Sequence, residues 1–315
     1  MHRNNDLHYP NDHESIRKTF WNGIYNGEQY EWNDKGWKLA VKRACGDLMA
    51  RTLTPKPSTD GEPKKSLAEQ LCGEAEQTGR TPFLEHLGKG FDQKRLWKNE
   101  DEFDVWHHDA CGIVWAILRD LYTNRDESPV QYGKAQKIVN MTLKYMYCLE
   151  GAETYEDNFR YCHMALDSFT LEWFKRNVCN RKTVCKGKVG PWSNMPYSEA
   201  DEKGCYPYRF YVKAIRDHFD HAFSGPYAGL TPFQAEFYIW PEIQLHLAAE
   251  AVLFQLQETA LDEETANLPE EERKKRIAKE KQEIQAMRIT EKLEKMQTAV
   301  GNHLTSLKSV LSTSR

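Results

Sequence analysis

The sequence predicts an all-α fold, with a helical body over residues 1–260 and a charged helical tail over 261–315. Three observations carry this. Apolar residues recur at spacings of three and four through most of the chain, runs with the strand period of two are scarce, and Asp262 to Lys295 is dominated by Glu, Lys and Arg.

From His13 to Leu53, Phe20, Trp21, Ile24, Trp37, Leu39, Ala40, Ala44 and Leu48 keep the helical period, which predicts two helices. Thr54 to Lys65, rich in Pro, Ser, Thr and Gly, reads as a surface loop. Helical patterns return at Ser66 to Thr78 and at Glu102 to Tyr122. After a turn at Thr123 to Pro129, Lys134 to Tyr147 is the most apolar helix of the chain. Gly151 to Tyr161 is a polar connection, and Ser168 to Asn177 is helical. Val178 to Pro207 carries Cys, Gly, Pro and Lys with little periodicity, and long loops of this kind in compact domains often carry function. Tyr208 to Phe223 and Thr231 to Thr259 complete the body, the second with Pro241 as an expected kink or break. In the tail, Leu293, Met296, Val300, Leu304, Leu307 and Leu311 form a narrow apolar stripe. It suits a helix docking one face on the body or, as the alternative, self-association as a short dimeric coiled coil.

The balance of 43 Lys plus Arg against 47 Asp plus Glu, a net charge of −4, excludes an overall basic footprint and leaves room for a local basic groove. No apolar run approaches the roughly 20 residues that a bilayer requires. Met1 to Ser15 is polar and lacks the apolar core of a signal peptide, so a cytoplasmic location is expected. Eight cysteines in such a chain are expected as thiols. Four of them, Cys162, Cys179, Cys185 and Cys205, fall in one segment, but no CxxC pair occurs, and neither a metal nor another cofactor is called for.

The chemistry concentrates around the apolar helix. Its polar residues Lys134, Lys137, Asn140 and Lys144 lie on one stripe, while Ile138, Val139, Met141, Leu143, Tyr145 and Met146 fill the other faces. A helix this apolar is largely buried, so at least one of the lysines is expected to line a cleft, where desolvation makes an amine nucleophilic. The plainer alternative is that the lysines snorkel from the edge of a core helix. The turn Pro129-Val130-Gln131-Tyr132-Gly133 leads into this helix, and His163-Met164-Ala165-Leu166-Asp167-Ser168 approaches an Asp that opens the next one.

This pattern resembles the helix-hairpin-helix DNA glycosylases, in which a glycine-bearing hairpin leads into a helix with the catalytic Lys and a later segment carries an essential Asp. The spacing looks most like the archaeal 8-oxoguanine glycosylase branch and the bacterial antiphage glycosylases that remove modified cytosines. The resemblance implies a helix-hairpin-helix glycosylase fold over a motif region of 129–177. It makes Gly133 the hairpin glycine, Lys137 the nucleophile and Asp167 the essential acid, with double-stranded DNA containing a modified base as partner. Leu166 precedes Asp167 where the family usually has proline, and the turn carries a single glycine.

Those residue types fit the reaction. Breaking a base–sugar bond develops positive charge on the sugar, which the carboxylate of Asp167 would stabilise, and a neutral Lys137 would attack C1′. Asp167 also suits a plain N-cap of the following helix, and one role does not exclude the other. An extruded base needs apolar walls, for which Trp106, Trp115 and Trp173, with Phe103, are candidates. Between Trp173 and Ser198 stand Lys175, Arg176, Arg181, Lys182, Lys186 and Lys188 without an acid, a candidate phosphate-contacting edge together with Gly133 and Lys134.

Two readings compete. His86 with His107-His108-Asp109 resembles the His and Asp set of metal-dependent phosphohydrolases. A helical partner-binding protein acting through the tail is the non-enzymatic alternative. An antiviral ribonuclease pairing of Arg80 with His86 is opposed by Pro82 between them.

Overall fold

The computed structural model describes residues 12–24, 30–57, 65–73, 81–91, 96–179, 188–200, 204–221, 225–265 and 269–298. The helical period becomes helix wherever a cap starts it. After α1 (His13–Ile24), α2 (Asp34–Thr52) begins at Asn33, whose side chain accepts from the Gly36 amide. A capping box of Ser66 and Glu69 opens α3 (Leu67–Cys72). α4 (Pro82–Gly90) is a helix that periodicity alone did not announce; Thr81 caps it and Pro82 occupies its first turn, where a missing N–H is harmless. α5 (Glu100–Leu121) starts at Asn99 with three acids in its first turn.

α2 and α5 end by turning extended at Leu53 and Tyr122, and the two continuations pair antiparallel as β1 (Leu53–Pro55) and β2 (Tyr122–Asn124), with Thr54 opposite Thr123. A two-strand ribbon therefore stands where a loop and a turn were expected. The long apolar helix is α6 (Tyr132–Tyr147), packed on α2 and α5. All of its residues except Lys137 and Met141 are buried. A short α7 (Glu156–Phe159) follows, then an extended stretch and α8 (Ser168–Asn177), the range expected from the sequence. The long loop holds one helical turn, Trp192–Asn194, before α9 (Tyr208–Asp220). α10 (Pro232–Thr265) is helical throughout, so Pro241 does not break it.

The chain divides into two compact units, Met1–Ile239 and Trp240–Arg315. The first ends ahead of the boundary at 260, because composition marks where charge changes and packing marks where contacts change. The second unit contains α11 (Glu270–Ala286) and a helical stretch over 289–298. Its exposed face carries i,i+4 pairs such as Lys274 with Glu270, but Lys292 is fully buried and donates to Glu250 at 2.5 Å. The tail is thus more than a solvated charged helix. Val300, Leu304, Leu307 and Leu311 of the apolar stripe lie outside the described residues. Among the described residues no helix is long and apolar enough to cross a membrane.

Candidate functional site

α6 starts without a side-chain cap at Gln131. Its orphan donors are met from elsewhere: the Gly133 amide donates to the Met195 carbonyl at 2.9 Å. A Cβ at position 133 would collide with the Trp192 carbonyl oxygen, so glycine is required here by close backbone approach. The amide that the resemblance assigns to a DNA phosphate is thereby occupied within the chain, and Gly133 serves to seat the Trp192–Asn194 turn on α6.

One turn further, Lys137 Nζ donates to Asp167 Oδ2 at 3.3 Å and lies 4.8 Å from the centre of the Trp192 ring. The two side chains are 15% and 9% exposed, so the pair is enclosed yet reaches solvent. Asp167 is held by the helix it caps: Oδ1 accepts from the amides of Phe169 (2.9 Å) and Thr170 (3.1 Å), and its own amide donates to Thr170 Oγ1 at 2.7 Å. The N-cap reading therefore holds, and it orients the other carboxylate oxygen toward Lys137.

The other lysines of the stripe go elsewhere. Lys134 is buried, 2% exposed, and donates to the Thr52 carbonyl at 3.4 Å; burial lowers its pKa to about 8. It lies between the Thr52 carbonyl of α2 and the Trp192 ring, 5.6 Å from the centre of that ring. Lys144 pairs with Glu236 at 2.8 Å in the core, where burial pushes the Glu236 carboxyl up despite the lysine.

The expected base walls are also committed. Trp106 stacks on His86 and donates to its carbonyl at 3.1 Å, Trp115 donates to the Val130 carbonyl at 2.8 Å, and Trp173 is buried against Phe219 and Tyr227. Phe103 is core. The aromatic ring over Lys137 is Trp192, which periodicity could not single out because it sits in the long irregular loop. Its one sequence signal is a Trp after Pro191 within a polar stretch. Of the basic edge, Lys175 and Arg176 are ion-paired to Glu172 at 3.4 and 2.8 Å, so one carboxylate offsets one of their two charges. Glu172 stands one residue before the acid-free stretch, so the count missed it. Arg181, Lys182 and Lys186 lie outside the described residues; Lys188 is exposed.

The histidines belong to a different structure. His107 Nε2 and Asn140 Oδ1 are 2.8 Å apart, His163 lies 2.8 Å from the Tyr208 hydroxyl and 2.7 Å from Asp104, and Arg216 grips both oxygens of Asp104. Burial lowers His163 to about 4 and His107 well below its ordinary value. Burial pushes Asp104 up, but hydrogen bonds from His163 and Arg216 outweigh it and hold the carboxyl below its usual range. A cleft of about 480 Å³ beside this network is lined by Asp104, His163, Tyr197, Tyr208 and Arg216 among others, and not by Lys137 or Asp167. His86 Nε2 is 2.9 Å from the Trp106 carbonyl and His108 stacks on Tyr197, so the proposed phosphohydrolase ligands diverge. Among the described residues no three His, Cys, Asp or Glu side chains are grouped to hold a metal ion. Cys162 and Cys205 are buried thiols, whereas Cys179 is disulfide-bonded, contrary to the all-thiol expectation.

Against protein-family models, curated protein sequences and solved structures, the chain finds no match.

Proposed function

We propose that this protein is a DNA glycosylase that removes a damaged or modified base from duplex DNA, with Lys137 and Asp167 as the reacting pair. One observation carries the reading: a lysine on an otherwise buried helix, its side chain 15% exposed, meets a rigidly capped and buried aspartate at 3.3 Å. Proton transfer from Lys137 to Asp167 frees the amine lone pair. The amine then bonds to C1′ of an extruded nucleotide as the base–sugar bond breaks, and Asp167 returns its proton to the departing base. The regenerated carboxylate faces the positive charge left on the new C–N bond. Trp192 supplies a ring on which an extruded base can stack. The sequence resemblance to antiphage glycosylases makes modified phage DNA the first substrate to try, with glucosylated hydroxymethylcytosine and 8-oxoguanine as the bases to assay.

The test is single-turnover base release by the parent, Lys137→Gln and Asp167→Asn on duplexes that each carry one modified base. Each substitution should lower the rate by orders of magnitude, as expected when a group acting in the transition state is removed. Folding should survive, because Asn caps a helix nearly as well as Asp. The C1′ adduct becomes an imine when the C1′–O4′ bond breaks and O4′ takes a proton from the nitrogen, so borohydride should trap the parent on DNA by reducing that imine. Full activity in both variants would refute the assignment.

A further inference from the structure

We infer that Gln136 is the positioning residue that sets the Lys137–Asp167 contact, an inference that rests on reading that pair as the reacting one. Gln136 is the residue before Lys137, and Leu166 is the residue before Asp167. The Gln136 side chain is fully buried and grips both backbone groups of Leu166: Nε2 donates to the Leu166 carbonyl at 2.9 Å, and Oε1 accepts from the Leu166 amide at 3.3 Å. Nε2 also donates to the Gly133 carbonyl at 2.9 Å, and Oε1 also accepts from Asn140 Nδ2 at 2.9 Å. A primary amide has two donor hydrogens and two acceptor lone pairs, and all four are used.

This saturation leaves the amide one orientation. The Gly133 and Leu166 carbonyls enforce it, since a carbonyl can only accept and both therefore require Nε2 on their side. The gripped segment, 163–166, lies outside any helix and has no ladder of its own to fix its height along α6. Further contacts hold the segment at earlier residues: the Ala165 amide donates to Glu236 at 2.7 Å, the Thr170 hydroxyl to the Ala165 carbonyl at 2.8 Å, and Asn140 of α6 to the Met164 carbonyl at 3.5 Å. Only the Gln136 grip ties the neighbour of Lys137 directly to the neighbour of Asp167. Glu at 136 lacks both donors, Met lacks all four bonding groups, and Asn falls one methylene short.

The experiment uses the full chain and reads amine accessibility by acylation with an N-hydroxysuccinimide ester, mapped on Lys137 and Lys144 by mass spectrometry. Gln136→Met should raise labelling of Lys137 several-fold, toward the level in Asp167→Asn, while Lys144 stays protected by Glu236. Its kcat for base release should fall on the order of 100-fold with KM unchanged, the scale expected from misplacing a reacting group by about 1 Å. Unchanged labelling of Lys137 would overturn the inference, as would an equal rise at Lys137 and Lys144, which marks general loosening. If Gln136→Met does not fold, hydrogen exchange in the parent decides: the Leu166 amide should exchange as slowly as amides inside α6, and fast exchange would overturn the grip. A parent protein that releases no base would remove the glycosylase reading while the labelling result still stands on its own.

Discussion

Two lysine–aspartate or lysine–glutamate pairs hang from α6, and their surroundings differ. Lys144 and Glu236 meet at 2.8 Å with side chains 1% and 2% exposed, flanked by the rings of Phe20 and Phe237. Lys137 and Asp167 meet at 3.3 Å and keep a window to solvent. In the first, both charges have lost water and each depends on the other, so the pair acts as a structural tie between α6 and α10 within the first unit. In the second, Asp167 already has its capping bonds and Lys137 lies against the Trp192 indole. An amine and a carboxylate are thus fully enclosed at one end of the helix and partly exposed at the other. Asn140 stands between, carrying the buried network of His107, His163, Tyr208 and Asp104.

The sharpest way to break this comparison is Lys144→Met. It strands Glu236 in the core and should cost about 3–5 kcal/mol in urea denaturation, whereas Lys137→Gln should cost under about 1 kcal/mol. Equal losses would mean the two pairs are alike. Next comes pH, which loads the network between them. His163 and His107 are held neutral in the fold, so below the ordinary histidine value of 6.5 the unfolded chain binds protons that the folded chain refuses. The melting temperature should fall as pH drops from 6.5 toward about 4. It should keep falling below the ordinary aspartate range, because Asp104 has a lowered carboxyl and its contribution is lost as that group protonates. A flat profile between pH 6.5 and 4 would show that these imidazoles ionise freely.

At the open end, Gly133→Ala should cost about 1–3 kcal/mol, since the added methyl must push the Trp192 turn off α6. Urea denaturation against the parent checks the cost. The smallest effect is expected at Arg176→Ala, which removes a partly exposed i,i+4 pair with Glu172 and should change stability by about 0.3–0.5 kcal/mol. A larger loss would indicate that this edge is part of the packed body.

Much of the local structure was legible in the residues. The period of Lys134 to Tyr147 announced a buried helix, and Asp167 before Ser168 announced a cap and the helix behind it. Lys137 and Asp167 were expected to face one another across a cleft; they are in direct contact at 3.3 Å, and the clefts beside His163 are lined by other residues. What could not be read is every outcome that depends on a partner far along the chain. Lys134 and Lys137 look equivalent on one stripe, yet the Thr52 carbonyl of α2 takes the first and the α8 cap takes the second. Gly133 reads as a free hairpin glycine until the Trp192–Asn194 turn lands on it.

Most helix positions are set locally, because apolar period, capping side chains and prolines act within a few residues of backbone. The sequence by itself also determined that α6 would carry three amines on one polar stripe of an otherwise apolar helix. Only the tertiary structure decided which amine is buried, which is tied in the core and which reaches solvent beside a carboxylate. The physical reason is that desolvation and ion pairing depend on the neighbours in space, and those neighbours, Thr52, Glu236, Asp167 and Trp192, come from four separate segments that no local pattern links to α6.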